Sequence, residues 1–128
     1  GIEEFESPVA ITQSGHKMVF MEWGHFYFSG RADDKHLEEL YNFSPDTDFP
    51  GINKDNMLGY QACVWTEMIP NTTILGRHMF PSLQAFSELV WSEDRCWDSF
   101  TQRLPWHLQW VRNQGITVRD TQYDKQDQ

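Results

Sequence analysis

Trp65 and Glu67 stand two residues apart at the end of the run Gln61-Ala62-Cys63-Val64-Trp65-Thr66-Glu67. On extended chain, side chains two apart point the same way, so an indole face and a carboxylate are presented side by side. That pairing suits a sugar ring: C–H groups lie on the flat apolar face, and hydroxyls donate to an acceptor-only carboxylate. A second aromatic cluster, Trp23, His25, Phe26, Tyr27 and Phe28, follows the apolar run Met18-Val19-Phe20-Met21.

Other chemistries find little support. The five histidines, His16, His25, His36, His78 and His107, show no HExxH or comparable ligand spacing, so no metal site is expected. There is no glycine-rich phosphate loop, and no cofactor is expected. Asp33-Asp34, Glu38-Glu39 and Glu93-Asp94 fall on helix starts or exposed faces and read as solvated charge. Trp91, Trp97, Trp106 and Trp110 read as helix-packing residues rather than a sugar platform.

The elements that must position these side chains alternate. Ser7 and Pro8 open a helix over residues 8–13, and Gly15 is its left-handed cap. Residues 17–21 form a strand with apolar side chains on both faces, followed by a long aromatic loop over 22–33. Residues 34–41 form a helix with Leu37, Leu40 and Tyr41 on one side, and residues 42–56, rich in Pro, Asp, Gly and Asn, form a loop. The apolar run 57–64 is the pattern of a buried parallel strand covered on both faces. A second loop spans 65–78. Pro81 opens a helix to about Trp91 with Phe80, Leu83, Phe86, Leu89 and Val90 on its apolar side. Ser92 caps the next helix, whose buried face is Trp97, Phe100, Leu104, Leu108 and Val111. Pro105 should kink or split it near Arg103, and Gly115 ends it. This alternation belongs to the α/β class.

Several blocks carry a family resemblance. Gln61-Ala62-Cys63-Val64-Trp65-Thr66-Glu67, Phe80-Pro81-Ser82-Leu83, Ser87-Glu88-Leu89-Val90-Trp91, Trp97-Asp98-Ser99-Phe100 and Arg103-Leu104 resemble the β-N-acetylhexosaminidases of glycoside hydrolase family twenty. Their order and spacing match the C-terminal end of that family's catalytic domain. Upstream, Gly15-His16-Lys17-Met18-Val19-Phe20-Met21 leading to Tyr27-Phe28 is similar to the preceding strand and its Tyr-bearing loop. The resemblance covers residues 5–119. It implies the C-terminal portion of a (β/α)8 TIM barrel, incomplete on its own, with residues 1–120 as that segment and 121–128 as a polar, mobile tail. The 128 residues are far short of the roughly 250 of a complete barrel.

The same resemblance implies roles. Trp65 forms part of an aromatic wall around the sugar, Glu67 accepts from its outer hydroxyls, and the Tyr27 hydroxyl contacts the acetamido carbonyl of an N-acetylhexosamine-containing glycan. Trp23, His25 and Ser29 are candidates for the pocket rim. Ser29 stands where many members carry an acid, and Ser82 where a basic residue is often found, a position read as structural. The family's catalytic Asp-Glu dipeptide belongs to an upstream strand, and no Asp-Glu dipeptide occurs here. No catalytic residue is therefore assigned, and the isolated chain is expected to be inactive. The rival readings are a non-catalytic glycan-binding or structural remnant of a barrel, and an ordinary α/β scaffold with a coincidental motif.

Composition narrows the partners. Nineteen acidic residues against ten basic give a formal charge of −9, a field that repels phosphate backbones and argues against nucleic acid. No apolar run reaches the ~20 residues of a membrane span, and the polar start over residues 1–6 is no signal peptide. Two parallel strands cannot close a sheet, so the expected partner is the remainder of a barrel or another copy of the chain. Cys63 and Cys96 read as two reduced thiols, with a disulfide left open. Asn42-Phe43-Ser44 and Asn71-Thr72-Thr73 fit the glycosylation sequon, and the compartment stays open.

Overall fold

In the computed structural model, which describes residues 7–125, the elements run α1 (Pro8–Gln13), β1 (Met18–Phe20), α2 (Trp23–Phe26), α3 (Asp34–Tyr41), α4 (Pro45–Asp48), a 3-10 turn (Lys54–Asn56), β2 (Met57–Tyr60), α5 (Thr72–Met79), α6 (Ser82–Trp91) and α7 (Trp97–Asn113). The polar start over residues 1–6 and the last part of the expected tail, 126–128, lie outside the described residues.

β1 and β2 pair in parallel, Met18 opposite Met57, Val19 opposite Gly59 and Phe20 opposite Tyr60. Parallel neighbours need a long crossover, supplied here by the segment holding α2, α3 and α4. α3 packs closely on α6. Its Leu37, Leu40 and Tyr41 join Ala85 and Leu89 of α6 and the Phe100, Leu104, Leu108 and Val111 stripe of α7 in one core. Phe20, Phe26 and Phe43 tie the sheet to that core, with ring centroids 5.1–5.8 Å apart.

Helix ends follow the side-chain chemistry. Ser7 accepts from the Ala10 N–H, Asp33 from His36 and Asn71 from Ile74, each satisfying an orphan donor of a first turn. Gly15 and Gly115 follow α1 and α7 at the expected positions, both with positive φ. Gly76 is required for another reason: a Cβ there would meet the Thr117 carbonyl oxygen at 2.2 Å. Only glycine lets α5 and the segment after α7 approach so closely.

Several expectations are corrected. The apolar strands are not covered on both faces: Val19 is 48% and Leu58 65% exposed, because no described element packs over them. The second strand stops at Tyr60 rather than residue 64, and Cys63 makes only an isolated bridge. The expected loops hold helices: α2 within 22–33, α4 and the 3-10 turn within 42–56, and all of α5 but its last residue, Met79, within 65–78. Ser92 closes α6 instead of opening α7, which starts after Cys96. Residues 92–96 are fixed by Arg95, whose guanidinium donates to the Tyr41 and Phe43 carbonyls at the end of α3.

α7 runs unbroken through the buried Pro105. Of the four tryptophans expected to pack helices, only Trp97 does, against Tyr41, Phe100 and Tyr123; Trp91, Trp106 and Trp110 are exposed. The described start of the tail makes specific contacts. Asp124 pairs with Arg112, and Asp34 receives both Arg119 (3.1 Å) and the Gln122 N–H (3.0 Å). Asp34 is thus a paired group, not solvated charge. Both cysteines are free.

Candidate functional site

The backbone ladder explains how two distant stretches meet. Beyond the strands, the Gln61 N–H donates to the Phe20 carbonyl, Cys63 to Phe26, and Phe28 to Cys63, each at 2.9 Å. Tyr27 and Cys63 therefore form a parallel bridge above the sheet. Stepping by two along each chain leads to Ser29 on one side and to Trp65 and Glu67 on the other. These residues line one hollow of ≈ 390 Å³ together with Trp23, Gly30 and Met68, a volume within the range of small-molecule sites.

Five of the six residues named from sequence thus converge: Trp65, Glu67, Tyr27, Ser29 and Trp23. Trp65 is 54% exposed, so its indole is open rather than sealed in the core. Glu67 is exposed and joins no ion pair among the described residues. An open indole, a free carboxylate and a phenol in one hollow can stack on a polyol ring while exchanging hydrogen bonds with its hydroxyls.

His25 is the exception. It does not line the hollow. Its Nδ1 lies 2.6 Å from a Glu22 carboxylate oxygen, and since a carboxylate only accepts, Nδ1 donates. The ring rests on Phe43 at 5.0 Å. The same Glu22 carboxylate accepts from the Gly24 and His25 N–H groups and caps α2. A Cβ at Gly24 would meet that carboxylate at 2.7 Å. One acid therefore turns His25 inward and fixes the turn that carries Trp23.

Beneath it, the fully buried His36 donates from Nε2 to the His25 carbonyl at 2.9 Å. Its Nδ1 has no partner among the described residues. Burial pushes the imidazole below its ordinary value, the bond to His25 opposing only in part, so the neutral form fits this position.

Sequence reasoning missed Gly30 and Met68 in the lining and Glu22 as the clamp. Gly30 and Met68 directly follow Ser29 and Glu67 and were within reach of the same argument. The clamp's only signal was an acid before an aromatic–glycine pair. A larger groove of ≈ 570 Å³ lies between α6 and α7, but its Glu88 is already engaged by Arg103 (2.7 Å) and the Tyr41 hydroxyl (3.1 Å). Among the described residues no cluster of His, Cys, Asp and Glu is arranged to hold a metal ion, and no helix is long and apolar enough to cross a membrane.

Comparison with known proteins bears on this arrangement. The family model described as glycosyl hydrolase family 20, catalytic domain, matches residues 4–94, more than half of the chain. The chain belongs to glycosyl hydrolase family 20. One relative, the β-N-acetylhexosaminidase of Cellulomonas fimi, is 34% identical over 73 residues, covering 56% of this chain and 15% of that protein. The family 20 β-N-acetylhexosaminidase of Streptomyces coelicolor A3(2) superposes with a TM-score of 0.79 at 20% identity, over 89% of this chain and 26% of its own. The family 20 exo-β-N-acetylglucosaminidase of Vibrio harveyi, solved in complex with N-acetylglucosamine, gives 0.75 at 24% identity, over 91% and 21%. These two likenesses establish a shared fold. The family 20 chain described here spans between about a seventh and a quarter of the length of these relatives.

Proposed function

We propose that this chain is the C-terminal part of the catalytic (β/α)8 barrel of a β-N-acetylhexosaminidase, supplying sugar-pocket residues while the catalytic pair lies elsewhere in the protein. The observation that carries the reading is the convergence of Trp65, Glu67 and Tyr27 on one open hollow, reached from the ends of two parallel strands. Strand C-termini and the loops after them are where α/β barrels build active sites. Family membership supports the reaction class, and the exposed Val19 and Leu58 fit sheet faces covered by the rest of a barrel.

In this reading Trp65 stacks on a terminal, non-reducing N-acetylhexosamine, Glu67 accepts from its outer hydroxyls, and the Tyr27 hydroxyl donates to the acetamido carbonyl. Hydrolysis is substrate-assisted and retaining, one of the exceptions to the two-carboxylate scheme. The acetamido oxygen attacks the anomeric carbon as a Glu protonates the departing oxygen and an Asp orients the acetamido group; water then opens the oxazolinium. Both acids belong to an upstream strand. Without them the chemistry goes, since general acid catalysis alone is worth about 10²–10⁴-fold.

The test is release of chromophore from an aryl N-acetylglucosaminide by the full-length protein and by the isolated 128-residue chain. Full-length protein should be active and the isolated chain silent. Turnover by the isolated chain, or a full-length protein with no activity on any N-acetylhexosaminide, would overturn the proposal.

A further inference from the structure

The hollow contains a second indole. Trp23 is 79% exposed, an arrangement that keeps a large apolar surface in water. Its origin lies in the ladder. Between the Phe20 and Phe26 carbonyls, bonded by the Gln61 and Cys63 N–H groups, the β1 side has four residues more than the β2 side. That surplus is wound into the single turn of α2, and Trp23 is its first residue. The turn is fixed at three points: the Glu22 cap, the Glu22–His25 contact at 2.6 Å, and the buried His36 bond to the His25 carbonyl at 2.9 Å. A rigid support beneath an exposed side chain is what a ligand platform requires.

We propose that Trp23 is a specificity-determining residue that stacks on the group leaving from the sugar's anomeric carbon. The substrates selected are those with a ring in that place, a second hexosamine or an aryl group. This rests on the function proposed above. β1 pairs with β2 along one edge, and its other edge has no partner among the described residues. Consecutive strands are usually neighbours, so the strand carrying the general acid belongs beyond that free edge. The acid protonates the departing oxygen, which puts the leaving group on the β1 side of the hollow. Trp65 and Glu67 follow β2, whereas Trp23 follows β1 and so stands on the acid's side of the hollow.

The experiment compares Trp23→Ala and Trp23→Phe with the parent full-length protein on three substrates: N,N′-diacetylchitobiose, an aryl β-N-acetylglucosaminide and the methyl glycoside. Inhibition by free N-acetylglucosamine is measured in parallel. Trp23→Ala should lower kcat/KM about tenfold on the two ring-bearing substrates, leave the methyl glycoside and the inhibition within about twofold, and keep the parent's melting temperature. Trp23→Phe should restore most of the loss. An equal loss on all three substrates, or none on any, overturns the inference while leaving the proposed function standing. A parent protein that hydrolyses none of them and is not inhibited by the sugar removes the function itself, and this inference with it.

Discussion

Tyr27 and Cys63 form a single parallel bridge above the ends of β1 and β2, and that pairing sets the spacing of the hollow's two walls. Ser29 lies two residues beyond one partner, Trp65 and Glu67 two and four beyond the other. The walls share one hydrogen-bonded ladder, so the hollow belongs to the sheet rather than to two independent loops.

Trp65→Ala should therefore remove ligand affinity without unfolding the protein. The indole is more than half exposed, and its loss opens no core cavity. Aromatic stacking beyond area burial is worth about 0.5–1.5 kcal/mol; with the lost contact area, a drop of tenfold or more in affinity for N-acetylglucosamine is expected. Calorimetric titration of full-length protein measures it, with the melting temperature as control. Unchanged affinity would remove Trp65 from the sugar site.

Glu67→Gln should act through charge alone. Hydrogen bonds to a charged acceptor are worth roughly 1.5–3 kcal/mol, so the near-isosteric amide should cost about ten- to a hundredfold in kcat/KM. Stability should stay level, because Glu67 supports no ion pair among the described residues. A variant as active as the parent would place the carboxylate outside the sugar's reach.

Much of this site could be read in the sequence, because period-two spacing survives where regular strand does not. Trp65 and Glu67 leave the ladder after Cys63 yet still share one hollow. Helix faces were equally legible: the stripe Phe100, Leu104, Leu108 and Val111 is buried as its spacing requires. What failed depended on tertiary context. α5 was hidden because Asn71 reads as a turn residue until its side chain is seen capping Ile74. Trp91, Trp106 and Trp110 have the composition of core, but face away from it. His25 went the other way, since nothing in its spacing shows that Glu22 turns it inward.

His36 makes stability pH-dependent in a stated direction. Its folded-state pKa lies below the ordinary 6.5, chiefly through burial. Above 6.5 neither state holds the proton. Below it the unfolded chain takes up a proton that the folded chain refuses, so stability falls as pH drops through that window. Asp34 extends the loss into acid: burial works against its charge, but hydrogen bonds from Thr121, Gln122 and Arg119 outweigh this and hold the carboxyl below 3.8. Its contribution is present above 3.8 and lost as pH falls below it. Thermal unfolding should show a midpoint declining from about pH 7 to about pH 5, with the decline flattened in His36→Asn. An equally steep slope in the variant would assign it to other groups.

Gly76→Ala sets two effects against each other, and magnitude decides between them. In a helix interior alanine is better than glycine by about 1 kcal/mol, so propensity alone predicts stabilisation. The added Cβ, however, would lie 2.2 Å from the Thr117 carbonyl oxygen. That atom is backbone and cannot be relieved by a rotamer change. α5 must then separate from the segment that leads to Val118 and Arg119, straining the Arg119 N–H bond to the Phe80 carbonyl (3.1 Å) and the Arg119–Asp34 pair. Overpacking of this kind costs about 1–3 kcal/mol, and the loss of those contacts adds to it, so the net effect is destabilising. Gly30→Ala is the control, since a Cβ there meets nothing within 4 Å. Denaturant midpoints should fall for Gly76→Ala and stay level for Gly30→Ala; a Gly76→Ala protein at least as stable as the parent would contradict the close approach of α5 to Thr117.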